Sequence, residues 1–372
     1  MLGRRRRGPS GPPVRRPVPQ HRRPAMSDRV TTASVTLLDV ARAAGVSLAT
    51  ASRALNGSTR RVRPDLRDRV LEAADALQYS ANAQAQAMAR GHTNLVGLVI
   101  GDVGDPYFSS IASGAIRAAE DHRLVVTMAC TFGREERELD YVAALRSQRA
   151  RAVIVVGSRV HDRDLTDRLG AEVRSFEQSG GRVAFISQRK IAADTVVLEN
   201  RAGARALAEA LCSRGYRRFA VLAGRADLLT ARDRFAGFRE GATRAGVQIS
   251  QDDVAYGGFT RDGGYDSMIE ILDRGADIDC VFAVNDVMAL GALAALRDRG
   301  IAVPSTMAVA GFDDITTLRD ATPALTTVRL PLEDLGAWAL ELVLEPPADQ
   351  PRIRRVRGEV IIRDSTPGRA RS

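Results

Sequence analysis

A group of side chains able to read a nucleic acid occurs at helical spacing near the amino end of the chain. Leu48, Ala49, Ser52 and Arg53 share one face of a short predicted helix, and Ser47 stands where it can cap that helix. An arginine side chain can donate two hydrogen bonds to a guanine edge, whereas leucine and alanine can touch only apolar features such as thymine methyls. The spacing alone is moderately specific, because an ordinary helical hairpin shows it too.

The sequence shows no comparable grouping of catalytic residues. Its four histidines are scattered, and its three cysteines do not have metal-ligand spacing. It shows no nucleophile elbow, and the Gly-Gly pairs at 180–181, 257–258 and 263–264 are typical of turns. An enzyme built on a doubly wound sheet therefore stays an alternative without a catalytic constellation, and we expect no metal and no cofactor.

Three short helices are predicted around the first group of residues. Thr36 can cap a first helix, Gly45 ends it in a tight turn, and the second helix covers 48–55. A third helix begins at Pro64, after which apolar residues recur at helical spacing. Because the turn is short and the second helix presents polar side chains, we interpret residues 35–80 as a helix-turn-helix head.

From residue 94 onward, continuous apolar runs alternate with helical patterns. Buried strands are predicted at 95–100, 124–128, 152–156, 183–186, 219–222, 281–283 and 307–310. Helices are predicted between most of them, for example at 107–121, 201–214, 232–245 and 287–299. This alternation predicts parallel sheets with helices on both faces. Since roughly 270 residues exceed the usual size of one such unit, we expect two lobes with a ligand cleft at the carboxyl ends of the strands.

Basic charge is concentrated in the first quarter of the chain. Residues 1–93 hold 17 arginines and 6 acidic residues, whereas residues 94–372 hold 37 basic and 39 acidic residues. A basic head on a near-neutral body predicts an anionic polymer as partner. Residues 1–34 are rich in Arg and Pro and are predicted to be disordered, although translation from Met26 would omit most of them.

Membrane insertion and export are not expected from this sequence. It has no uninterrupted apolar run of about 18 residues. Its arginine-rich start is followed by Pro and Gly rather than by the apolar core of a signal peptide. Widely spaced cysteines suit a reducing compartment. We therefore expect a cytoplasmic protein.

Several motifs in collinear order resemble those of the LacI family of transcriptional regulators. The head carries TLLDVARAAGVS at 36–47 and TASRALN at 50–56. Further matches lie at 62–64, 79–82, 105–108 (DPYF), 234–238 (RFAGF), 283–286 (AVND), 311–314 (GFDD), 325–328 (LTTV) and 362–366 (IRDST). Because independent motifs occur in register over about residues 36–366, the resemblance is highly specific.

The resemblance implies an all-α helix-turn-helix head at 35–80, a hinge at 81–93, an α/β body at 94–366 and a tail at 367–372. The body would have the two lobes of a periplasmic binding protein, would enclose a small-molecule effector and would form a homodimer. The implied function is binding of pseudo-palindromic operator DNA, with repression controlled by a mono- or oligosaccharide. Activation stays open, because the sign of regulation depends on operator position. A transporter's solute-binding protein would share the body but would lack the head.

The resemblance also assigns residues of the head to DNA. Leu48, Ala49 and Arg53 would face base edges. Phosphate contacts would come from four polar side chains, namely Ser47, Thr50, Ser52 and Asn56. Each hydroxyl could instead cap a helix or point to solvent.

The hinge segment favours a helix but is short. Asn82 can cap it and the Ala and Gln residues at 83–87 favour it, yet residues 82–90 fall below the ~12–15 needed for a stable isolated helix. We therefore expect it to fold only on specific DNA. By resemblance, Met88 would wedge between base steps in the minor groove, and Ala85 would let two hinge helices approach. The alternative is a simple linker whose Met88 packs on the body.

Seven side chains match positions at which family members hold an effector, namely Asp105, Tyr107, Phe108, Arg234, Phe259, Asn285 and Asp313. Arginine, asparagine and aspartate can form paired hydrogen bonds with sugar hydroxyls, and phenylalanine can cover an apolar sugar face. The alternatives are a buried structural network for Arg234, Asn285 and Asp313, and plain lobe-core packing for Tyr107 and Phe108.

Among the departures from the family pattern, three positions bear on the effector. Ser187 and Gln188 stand where an Asp-Arg pair is usual, and Leu330 stands where a Gln is common. Because two polar effector contacts are thereby replaced, the resemblance does not identify the sugar.

Overall fold

The computed structural model describes residues 35–56, 62–79 and 92–369 of the 372-residue chain. The chain forms two compact units that divide between Ala81 and Asn82. The expected disordered extension, the side chain of Asn56 and the hinge positions Asn82, Ala85 and Met88 lie outside the described residues.

The first unit contains three helices that pack around a small apolar core. They are α1 (Leu37–Ala44), α2 (Leu48–Asn56) and α3 (Pro64–Ala76). Gly45 adopts a left-handed conformation with a φ of 62°, which glycine takes without steric cost, and α2 begins three residues later. The core consists mainly of small side chains, namely Val40, Ala41, Ala44, Ala51, Ala54, Val70 and Ala74. The prediction of three helices with a tight first turn is confirmed.

The first helix begins with a capping box. The Asp39 amide donates to the Thr36 hydroxyl (N···Oγ1 3.4 Å), and the Thr36 amide donates to the Asp39 carboxylate (N···Oδ2 2.9 Å). Hydrogen bonds from Thr36 also lower the pKa of Asp39. Because these bonds satisfy two backbone amides, they fix the residue at which α1 begins, as the sequence predicted.

The second unit alternates strands and helices along its length. Its strands in the described part are β1 (Leu95–Ile100), β2 (Val125–Cys130), β3 (Ala152–Val156), β4 (Arg182–Ile186), β5 (Asp194–Leu198), β6 (Phe219–Gly224), β7 (Val254–Tyr256), β8 (Cys280–Ala283), β9 (Ala308–Ala310), β10 (Thr327–Arg329), β11 (Ile353–Val356) and β12 (Glu359–Ile361). Its α-helices there are α4 (Pro106–Asp121), α5 (Arg137–Ser147), α6 (Arg163–Gln178), α7 (Asn200–Ser213), α8 (Leu229–Arg244), α9 (Arg261–Asp273), α10 (Asp286–Asp298) and α11 (Leu332–Leu344).

Two parallel sheets organise this unit. The first has the strand order β11-β5-β4-β3-β1-β2, and the second has the order β7-β6-β8-β9. Strands β3 and β6 are buried along their whole length, as expected of strands covered by helices on both faces. Strands β10 and β12 form a separate antiparallel pair. The predicted α/β body with parallel sheets is confirmed.

The two sheets define two lobes. The first lobe comprises residues 92–198 and 332–356, and the second lobe comprises residues 200–326. The chain passes between them after β5, between β10 and α11, and again between β11 and β12. Loops at the carboxyl ends of both sheets therefore approach each other and can enclose a ligand.

Strands β5, β7, β10, β11 and β12 were not predicted from the sequence. Strands β5, β10, β11 and β12 include polar or charged residues, and β7 has only three residues, so none shows the continuous apolar run by which the other strands were found. In the described ranges, no helix has the length and apolar character needed to cross a membrane.

Candidate nucleic-acid interface and ligand cleft

One face of α2 is exposed and the opposite face is buried. Leu48, Ala49 and Arg53 lie on the exposed face, where Leu48 keeps 48% of its surface accessible. Ala51 and Ala54 face the core of the head and are at most 6% exposed. The predicted exposure of Leu48, Ala49 and Arg53 is confirmed, whereas Ser52, predicted on the same face, is half-buried.

Two of the predicted phosphate contacts also stabilise the start of α2. The Thr50 amide donates to the Ser47 hydroxyl (N···Oγ 3.1 Å), and the two hydroxyl oxygens lie 2.9 Å apart. Ser47 thus caps α2, as the alternative interpretation expected. A hydroxyl has one donor and two acceptor sites, so capping does not use up its capacity for a phosphate. Thr50 and Ser52 are half-buried, whereas Ser47 is exposed.

Helix α3 fixes the turn from which α2 starts. The Arg69 guanidinium donates to the carbonyl of Ala44, the last residue of α1 (Nη2···O 2.5 Å). A cation at the carboxyl end of a helix is also favoured by the helix dipole. The angle at which α2 leaves α1 is therefore held by a side chain of the third helix.

A buried arginine lies between the sheets of the body. Arg234 on α8 is 1% exposed and donates to both carboxylate oxygens of Asp313, at 2.7 and 3.2 Å. It also donates to Asn200 Oδ1 and to the Val284 carbonyl, each at 2.8 Å, and its Cζ lies 4.0 Å from the centroid of the Phe312 ring. These contacts use four of the five N–H groups of an arginine. The buried network kept as an alternative is thus present.

Two carboxyl groups of this region hold protons more tightly than in water. Burial raises the pKa of Asp313 to about 6, and the Arg234 guanidinium opposes that rise. Burial raises the pKa of Asp286 to about 7, and the charge of Asp313 adds to the effect. Asp286 accepts hydrogen bonds from the Thr327 hydroxyl (2.7 Å) and the Ile315 amide (3.0 Å). Asp286 was not predicted as a site residue, although it directly follows Asn285.

Asn285 and Phe259 lie together on a neighbouring wall. Asn285 Oδ1 accepts from the Met288 amide (2.9 Å) and caps α10, while its Nδ2 donates to the Phe259 carbonyl (3.5 Å). The Phe259 ring covers Gly224 at the end of β6, where an added Cβ would lie 2.7 Å from the ring. Since Phe259 is only half-buried, part of its ring stays accessible.

The first lobe contributes the start of α4 to the cleft. Asp105 caps this helix by accepting from the Tyr107 amide (2.9 Å), and burial raises the pKa of the Asp105 carboxyl. Tyr107 and Phe108 pack edge to face with ring centroids 5.1 Å apart, and Phe108 covers Gly101. Burial, with the charge of Asp313 adding to it, raises the pKa of Tyr107 above its usual value.

Ser187 and Gln188, which stand where an Asp-Arg pair is usual in the family, both form hydrogen bonds within the protein. Ser187 accepts from Arg159 Nε (3.1 Å). Gln188 accepts from the Arg159 amide (2.8 Å) and donates to the Thr230 hydroxyl (2.7 Å). Leu330 is 4% exposed. Asn200, which accepts a hydrogen bond from Arg234, was not predicted as a member of the site.

The seven predicted cleft residues are thus contributed by both lobes, at the carboxyl ends of their strands. Together they offer carboxylate acceptors, amide and hydroxyl donors, and aromatic rings. Side chains of these kinds can bind molecules that combine hydroxyl groups with apolar faces. The arrangement supports binding of such a ligand.

Comparison with known proteins adds two family matches. The description "Bacterial regulatory proteins, lacI family" matches residues 36–82, and "Periplasmic binding protein-like domain" matches residues 208–366. The transcriptional regulator GalS of Salmonella typhimurium is 36% identical over 311 residues, which cover 84% of this chain and 89% of GalS.

Solved structures of transcriptional regulators share the fold. A complex of the regulator CelR with cellobiose is 30% identical, with a TM-score of 0.64, and covers 89% of this chain and 99% of CelR. The lac repressor dimer bound to operator and an anti-inducer gives a TM-score of 0.77 over 90% of this chain and 99% of that one. At 24% identity the latter likeness concerns the fold alone. The chain therefore belongs to the LacI family of bacterial transcriptional regulators.

Proposed function

We propose that this chain is a DNA-binding repressor whose operator affinity is controlled by a neutral sugar held between the lobes of its body. The observation that carries the proposal is the presence of two surfaces in one chain. The exposed face of α2 can contact DNA, and the polar cleft around Arg234 can hold an effector. Binding without chemistry is sufficient for this function, so no catalytic role is assigned, and a DNA partner implies a cytoplasmic location.

Three exposed side chains of α2 read the operator. Arg53 donates to a guanine edge, while Leu48 and Ala49 pack against thymine methyls. The four polar residues Ser47, Thr50, Ser52 and Asn56 fix the head on the backbone through phosphates. The exposure of Leu48, Ala49 and Arg53 supports this assignment.

The effector is an uncharged mono- or oligosaccharide. Arg234 and Asp313 pair with each other, so the Arg234 guanidinium is not left unpaired to attract an anion. Sugar hydroxyls can bond the remaining lone pairs and donors of Asp105, Asn285 and Asp313, and Phe259 can cover an apolar sugar face. The related regulator CelR forms a complex with cellobiose, which supports a sugar as the ligand class.

Two copies of the chain bind one operator. Strand β2 is an edge strand, and Val125 and Met128 on it are 63% and 43% exposed. A second copy can cover this apolar edge, and the lac repressor structure is a dimer on its operator. In the dimer, the two hinges fold on DNA, with Asn82 as cap, Ala85 at the helix contact and Met88 wedged between base steps.

Selection of binding sites from random duplex DNA tests the assignment of the head. The dimer should enrich a pseudo-palindrome. Arg53→Ala should cost about 1–3 kcal/mol in operator binding and relax the preference at one base pair of each half-site. Arg67→Ala, at an exposed position of α3, should keep the base preference. An equal loss of affinity for selected and random DNA in Arg53→Ala would reduce Arg53 to a phosphate contact.

A further inference from the structure

Helix α8 carries Arg234. Its N-cap residue is Leu228, whose side chain makes no capping hydrogen bond. Amides in the first turn of a helix have no partner within the helix and must find one elsewhere. Here the Leu229 amide donates to the Arg159 carbonyl (2.9 Å), and the Thr230 amide donates to the Ser158 hydroxyl (3.0 Å). Two of the free amides of α8 are therefore satisfied by residues distant in sequence.

Both acceptors belong to the other lobe. They lie in a capping segment, residues 158–161, that follows β3 of the first lobe, whereas α8 follows β6 of the second lobe. Val160 and Leu228 form an antiparallel bridge, and the His161 amide donates to the Asp227 carbonyl (3.0 Å). The first lobe thus supplies the cap that α8 lacks.

Gln188, in the loop after β4, forms hydrogen bonds with both sides of this contact. Its Oε1 accepts from the Arg159 amide (2.8 Å), and its Nε2 donates to the Thr230 hydroxyl (2.7 Å). One half-buried side chain of the first lobe therefore holds both the capping segment and the first turn of α8.

The capping segment is itself held in place. Arg159 is 6% exposed, and its guanidinium donates to the two carboxylate oxygens of Glu138 at 2.5 and 2.6 Å. It also donates to the Ser187 hydroxyl (3.1 Å). Because paired, charge-assisted hydrogen bonds fix a guanidinium in orientation, the Arg159 backbone is held where α8 needs its acceptor.

Thr230 precedes Arg234 by about one helical turn, so the cap acts on the turn that leads to the effector cleft. We propose that Ser158 and Gln188 are positioning residues for the effector response. They cap α8 across the cleft and hold Arg234 in its binding position while the lobes are together. The inference rests on the proposed effector function of the cleft. A ligand that favours the joined lobes then also favours the capped helix, because separation would leave two amides of α8 to water.

Amide hydrogen exchange of the full chain, measured without any sugar, tests the cap. In Ser158→Ala, amides of residues 229–234 should exchange roughly fivefold faster than in the wild type, because a lost cap weakens the first turn. Ser158→Thr keeps the hydroxyl and should restore protection. The control is Ser175→Ala, whose hydroxyl donates to Ala171 on α6 (3.0 Å). Wild-type exchange in Ser158→Ala would overturn the proposal.

Calorimetric titration with cellobiose and with D-galactose tests the positioning role. Thr230→Val removes the acceptor of Gln188 but keeps the Thr230 amide. Both Thr230→Val and Ser158→Ala should raise the Kd of a sugar that binds the wild type by roughly fivefold, and Ser175→Ala should not. Faster exchange with an unchanged Kd would overturn the positioning role. Binding of neither sugar to the wild type would count against the proposed function instead, and exchange alone would then decide whether the first lobe caps α8.

Discussion

The buried carboxyl of Asp286 ties the stability of the second lobe to pH. Burial raises its pKa to about 7, whereas the unperturbed value is 3.8. Between these values the folded protein keeps a proton that the unfolded chain has released, so the free energy of unfolding falls as the pH rises. The contribution is fully present below about pH 4 and is lost as the pH rises through about 7.

Asp286→Asn should remove this part of the pH dependence, because an amide does not titrate. Urea unfolding at steps between about pH 4 and pH 8 measures it. Relative to the variant, the wild type should lose at most about 1.4 kcal/mol per pH unit across the window. Asp262→Asn, whose side chain is 83% exposed on α9, should keep the wild-type profile. If the free energy of unfolding depends on pH in the same way in the wild type and in Asp286→Asn, Asp286 is not the group responsible.

Arg234→Ala should destabilise the folded protein as well as the effector site. It leaves the buried Asp313 carboxylate and Asn200 amide without their partner, and breaking a buried ion pair typically costs about 3–5 kcal/mol. Arg239→Ala changes an exposed arginine of the same helix that lies over the Phe235 ring, so it should cost much less. If the two variants lose equal amounts of unfolding free energy in denaturant titrations, the Arg234 network does not stabilise the fold as predicted.

At the scale of single residues, it was easier to predict which residues belong to the candidate site than which of them bond to one another. Arg234 and Asp313 were found because each lies in a recognisable motif, but 79 residues separate them and no local pattern announces their bond. Asp286 was missed although it lies in the AVND motif beside Asn285, and Asn200 was missed as well, because a motif does not say which of its side chains bond other site residues. Motifs identify positions in the cleft, whereas distances come only from the folded chain.

At the scale of elements, predictability followed the strength of the local signal. Strand β3 has the predicted bounds because five apolar residues stand in one buried run. Strand β7 has only three residues, and β11 carries Arg354 and Arg355. Strand β7 pairs with β6, and β11 pairs with β5. Their strand conformation therefore depends on these neighbours more than on local propensity.

The hinge yields a prediction at the same scale, although it lies outside the described residues. Met88→Ala should lower operator affinity roughly tenfold and reduce the DNA bend, because an inserted apolar side chain drives the kink. Affinity for random DNA should hold, which serves as the control. Operator affinity and bend angle are measured together on one DNA fragment. Full affinity with an unchanged bend would leave the segment as a tether.

At the scale of the whole molecule, recognition and control belong to different units of the chain. The head presents the exposed face of α2, and the residues proposed to hold the effector lie in the two-sheet body. A ligand can change DNA affinity only by binding two arrangements of the lobes with different affinities. If the proposed effector control holds, contacts between the lobes, such as the hydrogen bond that caps α8, take part in it.

The most direct test is operator affinity measured with and without a sugar that binds the protein, chosen from neutral mono- and disaccharides including cellobiose. In the wild type, a saturating sugar should change operator affinity by roughly 5- to 150-fold. Phe259→Ala should need a higher sugar concentration for the same change, whereas Phe235→Ala, which alters a half-buried ring packed on Tyr256, should respond as the wild type does. An operator affinity that stays the same at every concentration of a bound sugar would contradict effector control.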